Sequence, residues 1–508
     1  MENYNLYLIK NLLALTVIGF IIAPANVNVT KDILTKPIPD VSLNLSTTEP
    51  VDLDFDAILE RGSIRVITNY NVGSYFLQGG LDRGFEYEFL AMFARQHGLT
   101  VEVILLQPGD DPVEVLNRGA GDIIATNFIK TSLRERQVTF SEPYKIVDQH
   151  IILPDTSQNF TSLAQLDSIP ISVQRNSAQH EILLELKEQG YAFTIDLVSP
   201  EFDKEALVVG VAENRYKATI ADDHQFNAMK TYVTGVQLGP RISEAVQVGW
   251  GIRQNAEKLQ KEVDKYVYGN FKHDFKQEKI WKSGYFSLLE QRYYHNQTQI
   301  EQYRNDIHEL MYHGIFSPYD HLIRPAAEQA GVDWKLAVAV MAQESAFRPN
   351  AVSVAGALGL MQIIPRFSQI SDEAQLMDPE INIGEGMRYL KKHLTHYSYL
   401  DKENQLALSL AAYNAGMGHV ADARRLVIDS DKNPNDWEAV SEALLKLVDR
   451  KHYQHARYGF VRGTETVDYV QRIRGRYKTY QAISQLANNT ARGDVEETLL
   501  AMGKMAGK

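Results

Sequence analysis

The hydrophobic pattern changes character near residue 270, and the part before it alternates short apolar runs with amphipathic segments. Strand-like runs occur at 64–68, 101–106, 122–126, 171–174, 218–222 and 246–252. Apolar residues recur at helical spacing over 84–97 and 179–189. Strands that alternate with helices predict an α/β fold with a mostly parallel sheet. Because the pattern runs twice, starting at 64 and again at 171, we expect two lobes with a cleft between them.

From residue 313 to 490 the pattern is helical almost throughout. Amphipathic stretches at 319–330, 335–346, 381–398 and 404–414 are separated by turn residues. This part predicts a second, mainly α domain over 313–490. The intervening residues 271–312 are polar and aromatic, which favours a helical connector packed against both domains. The last segment, 491–508, is polar and weakly amphipathic, so we expect a flexible tail.

The length of 508 residues agrees with two large domains rather than one. At the N-terminus an apolar run over 12–23 is followed by Ala23-Pro24-Ala25, a small-x-small cleavage pattern. The run is short of the ~20 residues needed to span a bilayer, so we predict a secretory signal peptide over 1–25 and an exported protein. Whether the segment is cleaved or retained stays open. Residues 26–50 are rich in Asn, Thr, Pro and Ser, which predicts a linker.

Composition excludes several kinds of chemistry. The chain has no cysteine, which rules out disulfides, thiolate metal sites, a cysteine nucleophile and a lipid-modified N-terminal cysteine. Its net charge of −12 argues against a nucleic-acid partner. The charge is uneven, and residues 450–478 hold eight Lys or Arg against two Asp or Glu. That segment is either a solvated helix face or a rim that meets an anionic polymer.

One carboxylate, Glu344, stands out as a candidate general acid. Asp333 is placed to cap the helix that leads to it, and Trp334, Val338 and Met341 share one apolar face of that helix. A carboxyl group shielded by such a face favours its neutral form, so its pKa should rise. A raised pKa is what a general acid near neutral pH needs. Pro349 is expected to end the helix soon afterwards.

A glycine-rich segment follows the helix directly. Gly356 and Gly359 allow the backbone to approach a ligand closely. Gln362 can donate to and accept from polar groups of a ligand, and Met361 offers an adaptable apolar wall. The alternative is a tight turn with a packed methionine.

Two later motifs lie on helices. Tyr413 and Asn414 stand just before Gly416, a plausible helix C-cap, and are predicted to point into a cleft beside Glu344. Tyr469 stands at the start of another helix and is the candidate partner that orients Glu344 or the substrate. The alternative for Tyr469 is a core tyrosine with a satisfied hydroxyl. Asp378 and the residues after it are interpreted as a helix start that buries Ile383.

These motifs, at 343–365, 378–383, 412–416 and 465–470, occur in the order seen in the family 1 lytic transglycosylases of the bacterial cell wall, which this half of the chain closely resembles. The resemblance implies a lysozyme-like domain that acts on peptidoglycan glycan strands with one carboxylate, Glu344, and no metal or cofactor. It also implies substrate contacts from Ser345, Met361, Gln362, Tyr413, Asn414 and Tyr469. Two other functions stay open: a relative of goose-type lysozyme that hydrolyses the same bond, and a non-catalytic binding or sensor protein.

The N-terminal half resembles the family 3 solute-binding proteins of the periplasm. The residues that carry the resemblance lie at 84–88, 121–122, 131–134 and 140–144. It implies a periplasmic-binding-protein-like domain over 51–270, whose two α/β lobes close on a small amphoteric ligand such as an amino acid or a muropeptide. Arg134 would hold the ligand carboxylate and Asp222 its amine. Lys217 and the Arg175-Asn176 pair depart from the family pattern, so a scaffold without a ligand is the alternative.

The order of the two domains resembles that of a membrane-bound type of lytic transglycosylase. That order implies a periplasmic protein attached peripherally to the outer membrane.

Overall fold

The computed structural model describes residue 43 and residues 47–506, except 159, 168, 200, 201, 203, 231, 232, 275 and 278; the side chains of 228 and 490–506 are also not described. The predicted signal peptide over 1–25 and most of the predicted linker over 26–50 lie outside the described residues. Among the residues that are described, no helix is both long enough and apolar enough to cross a membrane.

The first lobe is built on a five-stranded sheet. Its strands lie in the order β4 (Thr100–Leu105), β1 (Ser63–Thr68), β5 (Ile123–Ile124), β12 (Gly251–Ile252) and β6 (Thr139–Phe140). β1 pairs in parallel with β4 and β5, whereas β12 returns antiparallel between β5 and β6. The hairpin β2–β3 stands beside this sheet. The elements of this lobe are α1 (Phe55–Arg61), β1 (Ser63–Thr68), β2 (Phe76–Gln78), β3 (Leu81–Arg83), α2 (Phe85–Gln96), β4 (Thr100–Leu105), α3 (Pro112–Asn117), β5 (Ile123–Ile124), β6 (Thr139–Phe140), β12 (Gly251–Ile252) and α7 (Glu257–Tyr268).

The second lobe lies between two long strands, β7 (Lys145–Pro154) and β11 (Val236–Val248), which carry the chain out of the first lobe and back. Its other elements are β8 (Pro170–Gln174), α4 (Ala178–Glu188), β9 (Thr194–Val198), α5 (Lys204–Ala212), β10 (Thr219–Asp222) and α6 (Asp223–Met229). β7 pairs antiparallel with both β10 and β11, whereas β8 pairs in parallel with β9 and forms one parallel bridge, from Ile171 to Ala218, next to β10. The expectation of a mostly parallel sheet is therefore wrong for this lobe, because β7 and β11 are crossing strands rather than parts of βαβ units.

The segment over 271–312, predicted as a helical connector, begins as a β-hairpin. It contains β13 (Phe271–Asp274), β14 (Lys279–Lys282), α8 (Gly284–Glu290), a π-helical turn (Gln291–His295) and α9 (Gln297–His313). The prediction is wrong for Phe271–Asp274 and Lys279–Lys282, where β13 pairs antiparallel with β14. The helical part carries Tyr293, which is buried and donates to Glu88 of the first lobe at 2.5 Å.

The C-terminal part is entirely helical where it has regular structure. Its helices are α10 (Asp320–Ala330), α11 (Trp334–Ser345), α12 (Glu373–Leu376), α13 (Pro379–His396), α14 (Lys402–Ala415), α15 (Met417–Ile428), α16 (Trp437–Lys446), α17 (Arg450–Tyr453) and α18 (Gly463–Ala506). The backbone of 491–506, where we predicted a tail, continues α18.

One hydrophobic core runs through the first lobe, the connector and the helical domain. It joins Phe85 and Trp250 of the first lobe to Phe316 and Tyr480 of the helical part, and each of these four side chains is at most 3% exposed. The second lobe has separate clusters around Leu183 and Val208. The helical domain is therefore packed on the first lobe, while the second lobe has a core of its own.

Candidate active site

The helix α11 presents Glu344 at its C-terminal end. Asp333 caps its N-terminus as predicted, accepting from the Lys335 N–H at 2.9 Å. Eight of its twelve residues are buried, so the helix passes through the core. It ends at Ser345, four residues before Pro349, because Ala346 and Phe347 turn left-handed with φ of 49° and 60°. The proline does not end the helix as expected, and the left-handed turn does.

Glu344 is half-buried and accepts a hydrogen bond from the Tyr469 hydroxyl at 2.6 Å. Tyr469 itself is 5% exposed and lies in the first turns of α18. Burial raises the pKa of Glu344 to about 7, and the hydrogen bond from Tyr469 acts in the opposite direction. The predicted contact between these two side chains is thus present, and the carboxyl group is suited to give up a proton near neutral pH and take one back.

Ser345 ties the end of α11 to the glycine-rich segment. Its hydroxyl donates to the Leu360 carbonyl at 2.8 Å, and the residue is 1% exposed. In this arrangement Ser345 holds the segment in place rather than facing a substrate.

Met361 is also turned inward. Its side chain is fully buried and lies against Gly386 of α13, so it does not form an exposed apolar wall as expected. Its backbone carbonyl accepts from the Tyr413 hydroxyl at 2.8 Å. Tyr413 is 8% exposed and close enough to Glu344 for that carboxylate to raise the pKa of its hydroxyl, after the larger effect of burial. Tyr413 therefore holds the glycine-rich segment beside the carboxyl group of Glu344.

The side-chain amide of Gln362 bonds to the backbone of the loop in which it lies. Its Nε2 donates to the carbonyls of Gly359 and Ala351 at 2.9 and 3.1 Å, and its φ is 50°. Asn414 is exposed, and its Oδ1 accepts from the Thr466 hydroxyl at 2.9 Å. Of the predicted substrate contacts, Asn414 is the one that presents an exposed side chain.

Asn382 is a structural residue of this site that we did not single out in the sequence. It is fully buried, accepts from the Met361 N–H at 2.7 Å, and donates to the carbonyls of Leu358 and Leu376. A side chain at Gly359, whose φ is 75°, would collide with this amide. The signal available in the sequence was an asparagine at helical spacing from Gly386, on the face of α13 that is buried.

Other carboxylates near these motifs have structural partners. Asp378 caps α13 by accepting from the N–H groups of Glu380 and Ile381. Glu465 is 66% exposed and pairs with Arg462 at 3.4 Å. Within the part of the chain that the structure describes, no second carboxylate contributes to the raised pKa of Glu344.

Comparison with known protein families matches each half of the chain. Residues 64–284 match the model of bacterial extracellular solute-binding proteins, family 3, and residues 321–435 match the transglycosylase SLT domain. The chain is 30% identical to membrane-bound lytic murein transglycosylase F of Desulfosudis oleivorans over 82% of this chain and 89% of that protein. The chain belongs to the membrane-bound lytic murein transglycosylase F family. The protein of the same name from Alteromonas mediterranea is 28% identical over 83% of this chain and 90% of its own.

The fold class predicted for this lytic transglycosylase is confirmed, with a binding-protein-like domain followed by a helical domain. A solved ancestral arginine-binding protein, bound to arginine, is similar at 18% identity and a TM-score of 0.39, covering 46% of this chain and 99% of that one.

A cavity of about 760 Å³ lies between the two lobes of this lytic transglycosylase and is lined in part by the connector. Arg134 lines it, but its guanidinium pairs with Glu181 of the second lobe at 3.3 Å. Asp222 caps α6 and accepts from the Gln225 N–H at 2.8 Å. Both predicted ligand contacts are therefore engaged by the chain itself.

The buried Lys145 lies between this cavity and the connector. Its ammonium donates to Asn127 and to the Tyr294 hydroxyl, each at 3.0 Å. Burial lowers the pKa of Lys145, and Asp222 acts in the opposite direction. No sequence pattern pointed to this cation, which the connector residue Tyr294 contacts directly.

Proposed function

We propose that this enzyme cleaves the β-1,4 bond between N-acetylmuramic acid and N-acetylglucosamine in peptidoglycan without water and leaves 1,6-anhydromuramic ends. Glu344 acts first as general acid and then as general base. The observation that carries this proposal is a half-buried carboxyl group with a pKa of about 7, which accepts from Tyr469 and whose pKa no second carboxylate of the described residues shifts.

The proposed reaction has two steps. The Glu344 carboxyl gives its proton to the glycosidic oxygen as the bond between C1 and that oxygen breaks, and the substrate's own 2-acetamido group stabilises the cationic centre. The Glu344 carboxylate then takes the proton of the C6 hydroxyl while O6 forms a bond to C1. The proton returns to Glu344, so the enzyme is regenerated.

A single carboxylate suits this route better than hydrolysis. Most glycosidases use two carboxylates, one of which acts as nucleophile or activates water. Here the same group can serve both steps only if its pKa lies near the working pH, since it must be protonated at the start and ionised in the middle. Hydrolysis by a goose-type mechanism is the second candidate, and it differs in the product.

The test is product analysis with two variants. We expect Glu344→Gln to lose cleavage of peptidoglycan by at least 10²–10⁴-fold, the usual size of general acid–base help, because the amide has no proton to transfer. The control is Glu380→Gln, which removes an exposed carboxylate at the start of α13 and should leave the rate unchanged. Retention of more than about a tenth of the activity in Glu344→Gln would contradict the assignment.

Digestion in ¹⁸O-water separates the two reactions. Mass spectrometry should find anhydro ends and no ¹⁸O at the muramic acid terminus. Labelled reducing ends would establish hydrolysis instead.

We also propose that the cleft takes a small amphoteric ligand, an amino acid or a muropeptide. The support is the ion pair between Arg134 and Glu181, in which a carboxylate from the second lobe occupies the guanidinium. A ligand carboxylate has the same chemistry and can replace Glu181, and Asp222 is the candidate partner for the ligand amine.

We further propose that the protein lies outside the cytoplasm, in the periplasm and peripherally on the outer membrane. The support is the signal-peptide pattern over 1–25 and the membrane-bound character that the name of its relatives states. Among macromolecules, the proposed partner is the peptidoglycan glycan strand.

A further inference from the structure

The hairpin β2–β3 of the first lobe contacts the catalytic domain through Gly80, the second of the two glycines at its tip. Gly79 is exposed and Gly80 is buried. The same hairpin contacts both the turn that follows Glu344 and α18, the helix that carries Tyr469.

The first contact is made by Phe347, three residues after Glu344. Its ring lies so close to Gly80 that a methyl group added to this glycine would stand 2.5 Å from Cε2 and Cζ of the ring. Phe347 is 8% exposed, and its left-handed φ of 60° is unfavourable for a bulky side chain. Such a conformation persists only where the surrounding structure holds it, and at this ring Gly80 is part of that surrounding structure.

The second set of contacts is made by α18, the helix that carries Tyr469. The Gly80 carbonyl accepts from the Tyr480 hydroxyl at 2.6 Å, and Tyr480 is fully buried. Asp82 accepts from Arg476 at 2.9 Å. Tyr480 is eleven residues from Tyr469, about 16 Å along the helix axis, so these contacts fix the position of the helix rather than of the tyrosine alone.

We propose that the hairpin Phe76–Arg83 is a positioning element of the active site, which holds the turn after Glu344 and the helix of Tyr469 in the relative position that keeps these two side chains bonded and shielded from water. The proposal rests on the proposed function of Glu344. Phe347 and Gly80 act through Glu344 and are positioning residues.

The shielding of Glu344 makes the proposal measurable. The titratable groups that face Glu344 among the described residues are Tyr469 on α18 and Tyr413 on α14, and neither is a cation. The raised pKa of Glu344 is therefore due to burial. If the turn and α18 separate, water reaches the carboxyl group and its pKa falls toward the ordinary value.

The experiment compares Gly80→Ala with Gly79→Ala in the full chain. Gly79 has a left-handed φ of 55°, and a methyl group added to it meets no heavy atom of the described residues within 4 Å, so its variant shares the backbone strain without the contact with Phe347. A misplacement near 1 Å can cost about 100-fold in rate, so for Gly80→Ala we expect kcat to fall by roughly 10- to 100-fold with KM little changed. The alkaline limb of its pH–rate profile should move to lower pH. Gly79→Ala should keep both the rate and the profile.

A second variant, Asp82→Asn, weakens the contact with Arg476 without adding volume, and it provides the test if Gly80→Ala does not fold. We expect the same downward shift of the alkaline limb, to a smaller degree. The proposal is overturned if the folded variants lower the melting temperature but keep the wild-type kcat and pH profile. It is also overturned if Gly79→Ala changes them equally. An inactive wild type, or an active Glu344→Gln, contradicts the proposed function instead.

Discussion

Replacing Tyr469 with phenylalanine removes a single hydroxyl group from the candidate site. The ring remains, and since Tyr469 is 5% exposed, its packing in the core should be kept. What is lost is the hydrogen bond of 2.6 Å to Oε1 of Glu344. The substitution therefore separates the effect of this bond from the effect of burial.

The size of the effect follows from the chemistry of the bond. Burial raises the pKa of Glu344 to about 7 and the Tyr469 hydroxyl lowers it, because the hydroxyl stabilises the ionised carboxylate. A hydrogen bond to a charged group is worth about 1.5–3 kcal/mol net. Since one pKa unit corresponds to 1.36 kcal/mol, its loss should raise the pKa of Glu344 by about one to two units.

The sign of this change can be measured. Protonated Glu344 starts the proposed reaction, so the alkaline limb of the kcat/KM profile reports its pKa in the free enzyme. In Tyr469→Phe this limb should move to higher pH by about one to two units, while the maximal rate falls because the carboxyl group loses its orientation. The assay is release of soluble muropeptides between pH 4 and 10, together with a ¹³C NMR titration of the Glu344 carboxyl group.

The matched control is Tyr477→Phe. Tyr477 lies on the same helix and donates to Asp333, the cap of α11, at 2.8 Å, so this variant also removes a hydroxyl bonded to a carboxylate. Its alkaline limb should stay where the wild type has it. A limb that is unmoved or lowered in Tyr469→Phe would refute the reasoning, because the bond would then not stabilise the ionised carboxylate.

Two further predictions concern stability and ligand binding. Glu344 has a pKa of about 7 in the folded protein against an ordinary 4.5, so its favourable contribution to folding is complete below about pH 4.5 and is lost as the pH rises through 7. Glu344→Gln should therefore melt like the wild type at pH 4 and be more stable than the wild type at pH 9 by up to about 3 kcal/mol. Equal melting temperatures of the two proteins at pH 9 would contradict this prediction. Glu181→Gln removes the ion pair with Arg134, so arginine, glutamate or a disaccharide-peptide should bind to this variant more tightly than to the wild type, as measured by calorimetry. Adding Arg134→Ala should abolish the gain in affinity. Unchanged binding of all three probes would favour a scaffold without a ligand.

Features that depend on local sequence could be predicted well. The strand predicted at 64–68 is Ser63–Thr68, and the helix predicted at 84–97 is Phe85–Gln96. The Asp333 cap of α11 is present because an aspartate before an apolar helical run can satisfy the free N–H groups there. Hydrophobic periodicity and capping act over a few residues, which is why they can be recognised in a single chain.

The direction of side chains in the glycine-rich segment could not be predicted in this way. Ser345, Met361 and Gln362 resemble substrate contacts in sequence, yet they bond to or pack against their own domain. A loop has no periodicity that tells its inner face from its outer face. Its polar groups are satisfied by whichever partner the fold brings near, and here one of these partners is Asn382 of α13.

Contacts between distant parts of the chain also could not be predicted from the sequence. Arg134 and Glu181 come from different lobes, and Gly80 and Phe347 come from different domains. All recognisable catalytic motifs lie within 313–490, which predicts a self-sufficient catalytic domain. The shared core and the contact of the hairpin with Phe347 indicate instead that the first lobe supports the site.

A single carboxylate that serves as both acid and base places a narrow demand on its pKa. If burial alone acted on Glu344, the carboxyl group would hold its proton too firmly to serve as a base; if water entered freely, it would lose the proton before acting as an acid. The hydrogen bond from Tyr469 lowers the pKa of Glu344 against the effect of burial, and the hairpin around Gly80 keeps the carboxyl group buried. The two perturbations should therefore move the alkaline limb in opposite directions, upward in Tyr469→Phe and downward in Gly80→Ala. Loss of stability alone gives no reason for such a difference in sign, so the pair of variants tests whether the two domains together set the proton affinity of Glu344.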